Sequence, residues 1–142
     1  NFNANEKFLT VGKLALESAK KVVRPGNYIG QISRQIQEII ESRGYNCSRN
    51  LTGHGIGRKL HEEPLIPCIS AGSYQNTRQL KEGMTLAIEI IYMQGDWTLI
   101  TDKQDGWTIR TKDGKIAAVF EETIVIIKEG FKVLTPLPHI GK

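Results

Sequence analysis

Two amphipathic helices follow one another at the start of this chain, and each needs a surface to cover. After Asn3, with Glu6 placed for a capping box, Phe8, Val11, Leu14, Ala15, Ala19, Val22 and Val23 recur at helical spacing. They predict a helix of about four or five turns, ended by Pro25-Gly26. A second helix begins near Asn27 or Tyr28. Ile29, Ile32, Ile36, Ile39 and Ile40 share one face, while Gln31, Arg34, Gln35, Glu38 and Glu41 share the other. Arg43-Gly44 stops it at a position suited to a left-handed cap. Two apolar stripes in succession cannot stay in water, so the rest of the chain has to fold beneath them.

The rest reads as strands. From Tyr45 to about Gly83, the residues Gly53, Gly55, Gly57, Pro64, Pro67 and Gly72 punctuate a stretch of little periodicity, which predicts loops and short strands. Lys81-Glu82-Gly83 turns into Met84–Met93, almost unbrokenly apolar apart from Glu89. Gly95-Asp96 leads to Trp97–Ile100, Trp107–Thr111 alternates, and Asp113-Gly114 is a hairpin signal before β-branched Ile116–Ile127. A last strand is expected at Val133–Thr135, after a turn at Glu129-Gly130. This order predicts an α+β fold, two helices packed on one face of a curved, mainly antiparallel sheet. No repeat, low-complexity run or linker divides residues 1–142.

Composition closes off several functions. A chain of 142 residues with 39% apolar and 24% charged residues has the makings of a core and is not a disordered tail. The net charge of +4 is spread along the chain with no cluster that reads as a phosphate footprint, so no specific nucleic acid is expected as a partner. Thr85–Met93 is too short to cross a bilayer, and no membrane partner is expected. Cys47 and Cys68 have no metal-like spacing, and so small a number of cysteines fits a reducing, cytoplasmic compartment. No targeting peptide is evident, and an opening of Asn1-Phe2-Asn3 without Met predicts processing or a longer parent protein.

Some polar groups do not belong to a core. Glu89 sits in a strand of apolar residues, on the side shared by Thr85, Ala87, Ile91 and Met93. A lone carboxylate buried there costs several kcal/mol unless it is paired, protonated or bound to a cation. Glu121 repeats the situation, and because Glu122 adjoins it, one of the two must face each way. His54 lies in Thr52-Gly53-His54-Gly55-Ile56-Gly57-Arg58, where the glycines allow close backbone approach and positive φ. The spacing is wrong for a dinucleotide loop. His61 follows beside Glu62-Glu63-Pro64, and His139 reads as inert surface. One imidazole and two carboxylates make a reasonable donor set for Mn, Fe, Co or Zn.

Taken together, Gly53–Arg58, His61-Glu62-Glu63-Pro64, Gly83–Glu89, Asp105-Gly106-Trp107-Thr108 and Phe120–Val125 resemble the carboxyl-terminal half of a type I methionine aminopeptidase. The resemblance runs from the first helix, through Arg24-Pro25-Gly26, to Val133-Leu134-Thr135. It implies one half of the pita-bread fold, in which two related α+β halves face each other across the site. It also implies hydrolytic removal of the initiator methionine from nascent chains, by water activated on two divalent metal ions (Co, Mn, Fe or Zn). His54, Glu89 and Glu121 would be metal ligands, with Glu121 bridging. Glu89 would also handle the proton of the attacking water, and His61 would hydrogen-bond the scissile peptide or its oxyanion. Trp107 would belong to the wall of the methionine pocket.

The chain departs from the family pattern in three places. Ile90 stands where the family commonly has Pro and is expected to extend the strand. Glu122 replaces a common His and is expected to point away from the metals. The two aspartate ligands of the amino-terminal half match no residue here, so at most a partial site is expected, and the isolated chain is expected to be inactive. A preceding segment that is missing or removed, a natural or engineered fragment, or a second chain carrying the other half would each account for this. Nascent amino termini, the ribosome and an amino-terminal half are the expected partners. The competing readings are an inactive relative or fragment used as a binding module, and a proline-directed peptidase of the same fold.

Overall fold

A computed structural model describes residues 2–138; His139, read from sequence as inert surface, lies outside them. Helix α1 (Phe2–Lys20) is followed by α2 (Ile29–Glu41), and the strands are β1 (Asn46–Cys47), β2 (Thr52–Ile56), β3 (Glu62–Pro67), β4 (Thr85–Met93), β5 (Leu99–Thr101), β6 (Ile109–Thr111), β7 (Ala117–Ile127) and β8 (Gly130–Val133). The main sheet has six strands in the order β3-β2-β4-β7-β8, with β1 pairing the far end of β4. All its pairings are antiparallel. The α+β layout expected from the order of patterns is the one observed.

The two helical stripes meet the sheet with one correction: Leu14, expected in the first stripe, is 46% exposed, and Leu16 is fully buried on the sheet side. Phe8, Ala15, Leu16 and Ala19 of α1 and Ile29, Ile32, Ile36 and Ile40 of α2 are buried against Leu86, Ile88 and Ile90 of β4 and Ile124 and Ile126 of β7. Each buried Phe, Leu or Ile among them contributes about 1.5–3 kcal/mol by leaving water. Docking is also specific. The Tyr92 hydroxyl donates to the Phe8 carbonyl (2.5 Å) and accepts from the Gly12 N–H (3.1 Å), standing between two groups that a helix would otherwise pair with each other. Gly12 has to be glycine there, since a methyl would lie 2.4 Å from the Phe120 ring. At the end of α2, Gly44 takes φ +79°, as the capping signal predicts.

Several boundaries differ from the sequence expectation. Helix α1 already includes Asn3, so that residue does not cap it, and it ends at Lys20, while Val23 remains buried beyond it. The Asp113-Gly114 turn joins strands that do not pair with each other: β6 pairs with β5 in a separate two-stranded ribbon, and β7 pairs with β4. A turn signal reports local backbone direction and says nothing about which long-range partner a strand finds. The last strand is Gly130–Val133, a few residues earlier than predicted, because its register places Val133 opposite Ile124. Ile90 does extend β4, which runs unbroken to Met93 with Ile90 fully buried.

Candidate functional site

The face of the sheet turned away from the helices collects the polar groups that the core could not explain. β2 delivers His54, which pairs in register with Ala87 of β4. The flanking glycines are extended, and neither Gly53 nor Gly55 has positive φ. Only the close-approach half of the sequence argument therefore applies. A methyl at Gly53 would lie 2.4 Å from the Ala87 carbonyl oxygen, and one at Gly55 would lie 2.4 Å from the Glu63 carbonyl oxygen. Neighbouring strands press in from both sides and hold His54 at 5% exposure. The third glycine, Gly57, makes room for the Glu62 carboxylate, which accepts the Lys59 N–H at 2.8 Å and ties down the connection carrying His61.

The environment selects the His54 tautomer. Nδ1 lies 2.9 Å from the Gly55 carbonyl oxygen, which can only accept. Nδ1 therefore carries the proton and donates it, leaving the Nε2 lone pair directed elsewhere in the neutral ring. Nε2 is 3.4 Å from Glu89 Oε1. That is long for a charge-assisted hydrogen bond, and it is about the separation of two atoms that each lie roughly 2.1 Å from a shared tetrahedral cation.

Glu89 is partly buried, with Ala87 too small to crowd it and the Cys68 thiol donating to its carbonyl at 3.3 Å. Burial pushes the Glu89 carboxyl above its ordinary 4.5, the negative charge of Glu121 adds to this, and His54 works in the opposite direction. The raised value means that the stabilisation this group gives is fully present below pH 4.5 and is lost as pH rises through the shifted pKa. A proton is thus retained on Glu89 in acid, where it competes with any cation.

Glu121 lies directly opposite Glu89 in the β4–β7 register and is exposed on the same face. Glu122 turns the other way, as alternation predicted, and is 4% exposed. One oxygen of Glu122 takes the Lys20 ammonium at 2.6 Å and the other takes the Leu137 N–H at 3.0 Å. Burial lowers the Lys20 ammonium, but hydrogen bonds and attraction to Glu122 and Glu17 outweigh it, holding the pKa above 10.5. His61 is exposed between β2 and β3, its ring 4.3 Å from that of His54 and inclined at 67°. Trp107 is 85% exposed, just before the start of β6.

The structure thus groups His54, His61, Glu89 and Glu121. Among the described residues, no three or more His, Cys, Asp or Glu side chains close into a group able to hold a metal ion. The donor chemistry of His54, Glu89 and Glu121 suits a divalent cation, but this chain arranges only the first two as a pair. Sequence reasoning missed Lys20, which anchors Glu122 on the helix side; its place at the end of the first helical stripe was the available signal. It also missed Cys68, whose thiol meets the Glu89 carbonyl only through the pairing of distant segments.

The chain is 39% identical over 132 residues to a methionine aminopeptidase of Aquifex aeolicus, covering 93% of this chain and 51% of that protein. The crystal structure of a methionine aminopeptidase from Thermotoga maritima superposes with a TM-score of 0.87 at 42% identity, over 93% of this chain and 52% of that one. A prolidase from Thermococcus sibiricus is a more distant likeness, with a TM-score of 0.69 and 26% identity over 95% of this chain and 30% of the other. The chain spans about half the length of the methionine aminopeptidases it matches, and its fold is one half of the pita-bread architecture. With residues 1–128 matching the family as well, the chain belongs to metallopeptidase family M24.

Proposed function

We propose that this chain carries the carboxyl-terminal share of a hydrolytic metal site and that, by itself, it is an inactive half able to bind but not to turn over. The observation that carries this reading is the His54–Glu89 pair, Nε2 to Oε1 3.4 Å, with Glu121 opposite Glu89 and, among the described residues, no third donor closing the group. A binding role for the fragment, toward peptide amino termini or a ribosome, is the functional consequence if no complementing half is supplied.

Joined to that half, the same residues support removal of an initiator methionine in the cytoplasm, a compartment that suits two buried free cysteines. His54, Glu89 and Glu121 would hold one or both of two divalent ions, with Co, Mn, Fe and Zn all compatible with the donor set. Such ions supply Lewis acidity, acidifying water and polarising the scissile carbonyl. Glu89, whose raised pKa suits it to hold a proton near the reacting atoms, would take one from water and pass it on. His61, exposed beside His54, would donate to oxygen as charge develops on it. Trp107 would line a side-chain pocket that needs further protein to enclose it.

The test is to titrate Co²⁺ or Mn²⁺ into the 142-residue chain by calorimetry and to assay Met-Ala-Ser hydrolysis. At most one weakly bound ion and no methionine release are expected. Two tightly bound ions with sustained turnover would overturn the reading, and cleavage of X-Pro peptides in preference to Met-Ala-Ser would replace it with a proline-directed one.

A further inference from the structure

On the flank of β4 turned toward β1 and β2, the ladder is interrupted. β2 pairs with β4 only as far as His54 opposite Ala87. β1 takes over at Cys47 opposite Tyr92, with the Ser48 N–H donating to the Ile91 carbonyl (2.8 Å). Between these contacts the chain loops out through residues 49–51, a turn closed by the Leu51 N–H donating to Ser48 Oγ (3.0 Å). That turn leaves no strand facing Glu89 on this side. The other flank is continuous, since β7 pairs with β4 from Thr85 to Met93. Its bonds use the even-numbered residues of β4: the Ile126 N–H donates to the Met84 carbonyl (2.8 Å), and the Gln94 N–H donates to the Ile116 carbonyl (2.9 Å). The backbone groups of Glu89 and Ile91 therefore point into the gap.

Cys68 fills it. The residue follows β3 directly and is fully buried, and its thiol donates to the Glu89 carbonyl at 3.3 Å. Burial pushes the thiol up to about 11, so the sulfur keeps the proton it donates; a hydrogen bond from the Ile91 N–H to the same sulfur works in the opposite direction. One atom thus meets both backbone groups that the interrupted ladder leaves over. Two residues on, the Ser70 N–H donates to Gln37 Oε1 of α2 (2.8 Å), which fixes the segment carrying the thiol from the helix layer. Glu89 leaves the sheet from the stretch so held, and its Oε1 lies 3.4 Å from His54 Nε2. We propose that Cys68 is a positioning residue for Glu89: its thiol stands in for the missing rung and holds β4 in the position and twist that aim the Glu89 carboxylate at His54. A side chain in this role must both donate and accept, because it meets a carbonyl and an N–H, and a thiol does both. This rests on the half-site reading above, in which His54 and Glu89 share a cation.

The experiment compares the 142-residue chain with its Cys68→Ala and Cys68→Ser variants. Three quantities are read: amide hydrogen exchange at Ile91, the three-bond NMR couplings that report the Glu89 χ1 angle, and affinity for Co²⁺ by calorimetry. Cys68→Ala should speed exchange at Ile91 by about 100-fold and average the Glu89 couplings over several rotamers. It should also weaken Co²⁺ binding by about 10-fold. Cys68→Ser keeps a donor and an acceptor, so it should restore a single Glu89 rotamer and bring Co²⁺ affinity to within about 3-fold of wild type. Ile126→Val loosens the core at the far end of β7, beside Met84, and should leave all three quantities unchanged. If Cys68→Ala does not fold, Cys68→Val takes its place, since it fills the space without a donor. A single Glu89 rotamer retained in the alanine or valine variant, no rescue by serine, or the same changes in Ile126→Val would overturn the proposal. Absence of Co²⁺ binding by the wild type would sink the half-site reading instead, and the Glu89 couplings and Ile91 exchange would still decide whether Cys68 positions the side chain.

Discussion

Glu121 and Glu122 are neighbours in one strand with opposite fates. Glu121 stands exposed on the open face, opposite Glu89, and its charge helps to raise the Glu89 pKa. Glu122 is buried on the helix side with both oxygens satisfied, one by Lys20 and one by the Leu137 N–H. One face of β7 has therefore solved its electrostatics within the chain, and the other has not. A carboxylate that a fold leaves uncompensated is more informative about function than one it has neutralised.

The largest expected effect comes from breaking the solved side. Lys20→Met should destabilise the protein by about 3–5 kcal/mol, since it strands the Glu122 carboxylate in the core, whereas Lys20→Met with Glu122→Leu should recover most of that loss. Chemical denaturation of the single and double variants checks both. The same pair predicts the alkaline limit. Because the Lys20 pKa is raised, its stabilisation is full below pH 10.5 and lost as pH climbs beyond it, so the melting temperature of wild type should fall there more steeply than that of the double variant.

On the unsolved side, Glu121→Ala should weaken Co²⁺ or Mn²⁺ binding by about 10-fold or more while leaving stability within roughly 0.5 kcal/mol. Calorimetry that finds metal affinity unchanged would remove Glu121 from the site. The same variant should lower the Glu89 pKa, read by carboxyl carbon NMR, because one of the two influences raising it is gone. His61→Ala should leave metal binding within about 2-fold, as expected of a group that contacts substrate and not the cation, and should reduce turnover only in the complemented enzyme. The smallest effect belongs to Trp107→Ala. At 85% exposure the ring buries little, and a thermal melt should move by no more than about 0.5 kcal/mol equivalent.

Much of this architecture is legible in the sequence. Ile29, Ile32, Ile36 and Ile40 announced one buried face because helical period is a local property, and all four are buried. Alternation likewise separated Glu121 from Glu122. Strand pairing was less accessible. Asp113-Gly114 looked like the tip of a hairpin, yet β6 and β7 belong to different sheets. The glycines around His54 looked like positions for positive φ, when what they provide is space against the carbonyls of Ala87 and Glu63.

The sequence by itself determined the buried face of α2 and the alternation of β4 and β7, because periods of 3.6 and 2 are written into the chain and need no partner. It also marked His54 and Glu89 as too polar for their apolar or glycine-rich surroundings, and Glu121 with them, which the fold leaves exposed. Only the tertiary structure decided that His54 falls beside Glu89, that Glu89 faces Glu121, and that Lys20 reaches Glu122 across 102 positions of sequence. Register and docking are choices among distant partners, made by summed burial and hydrogen bonding over the whole sheet, and no short segment contains that sum.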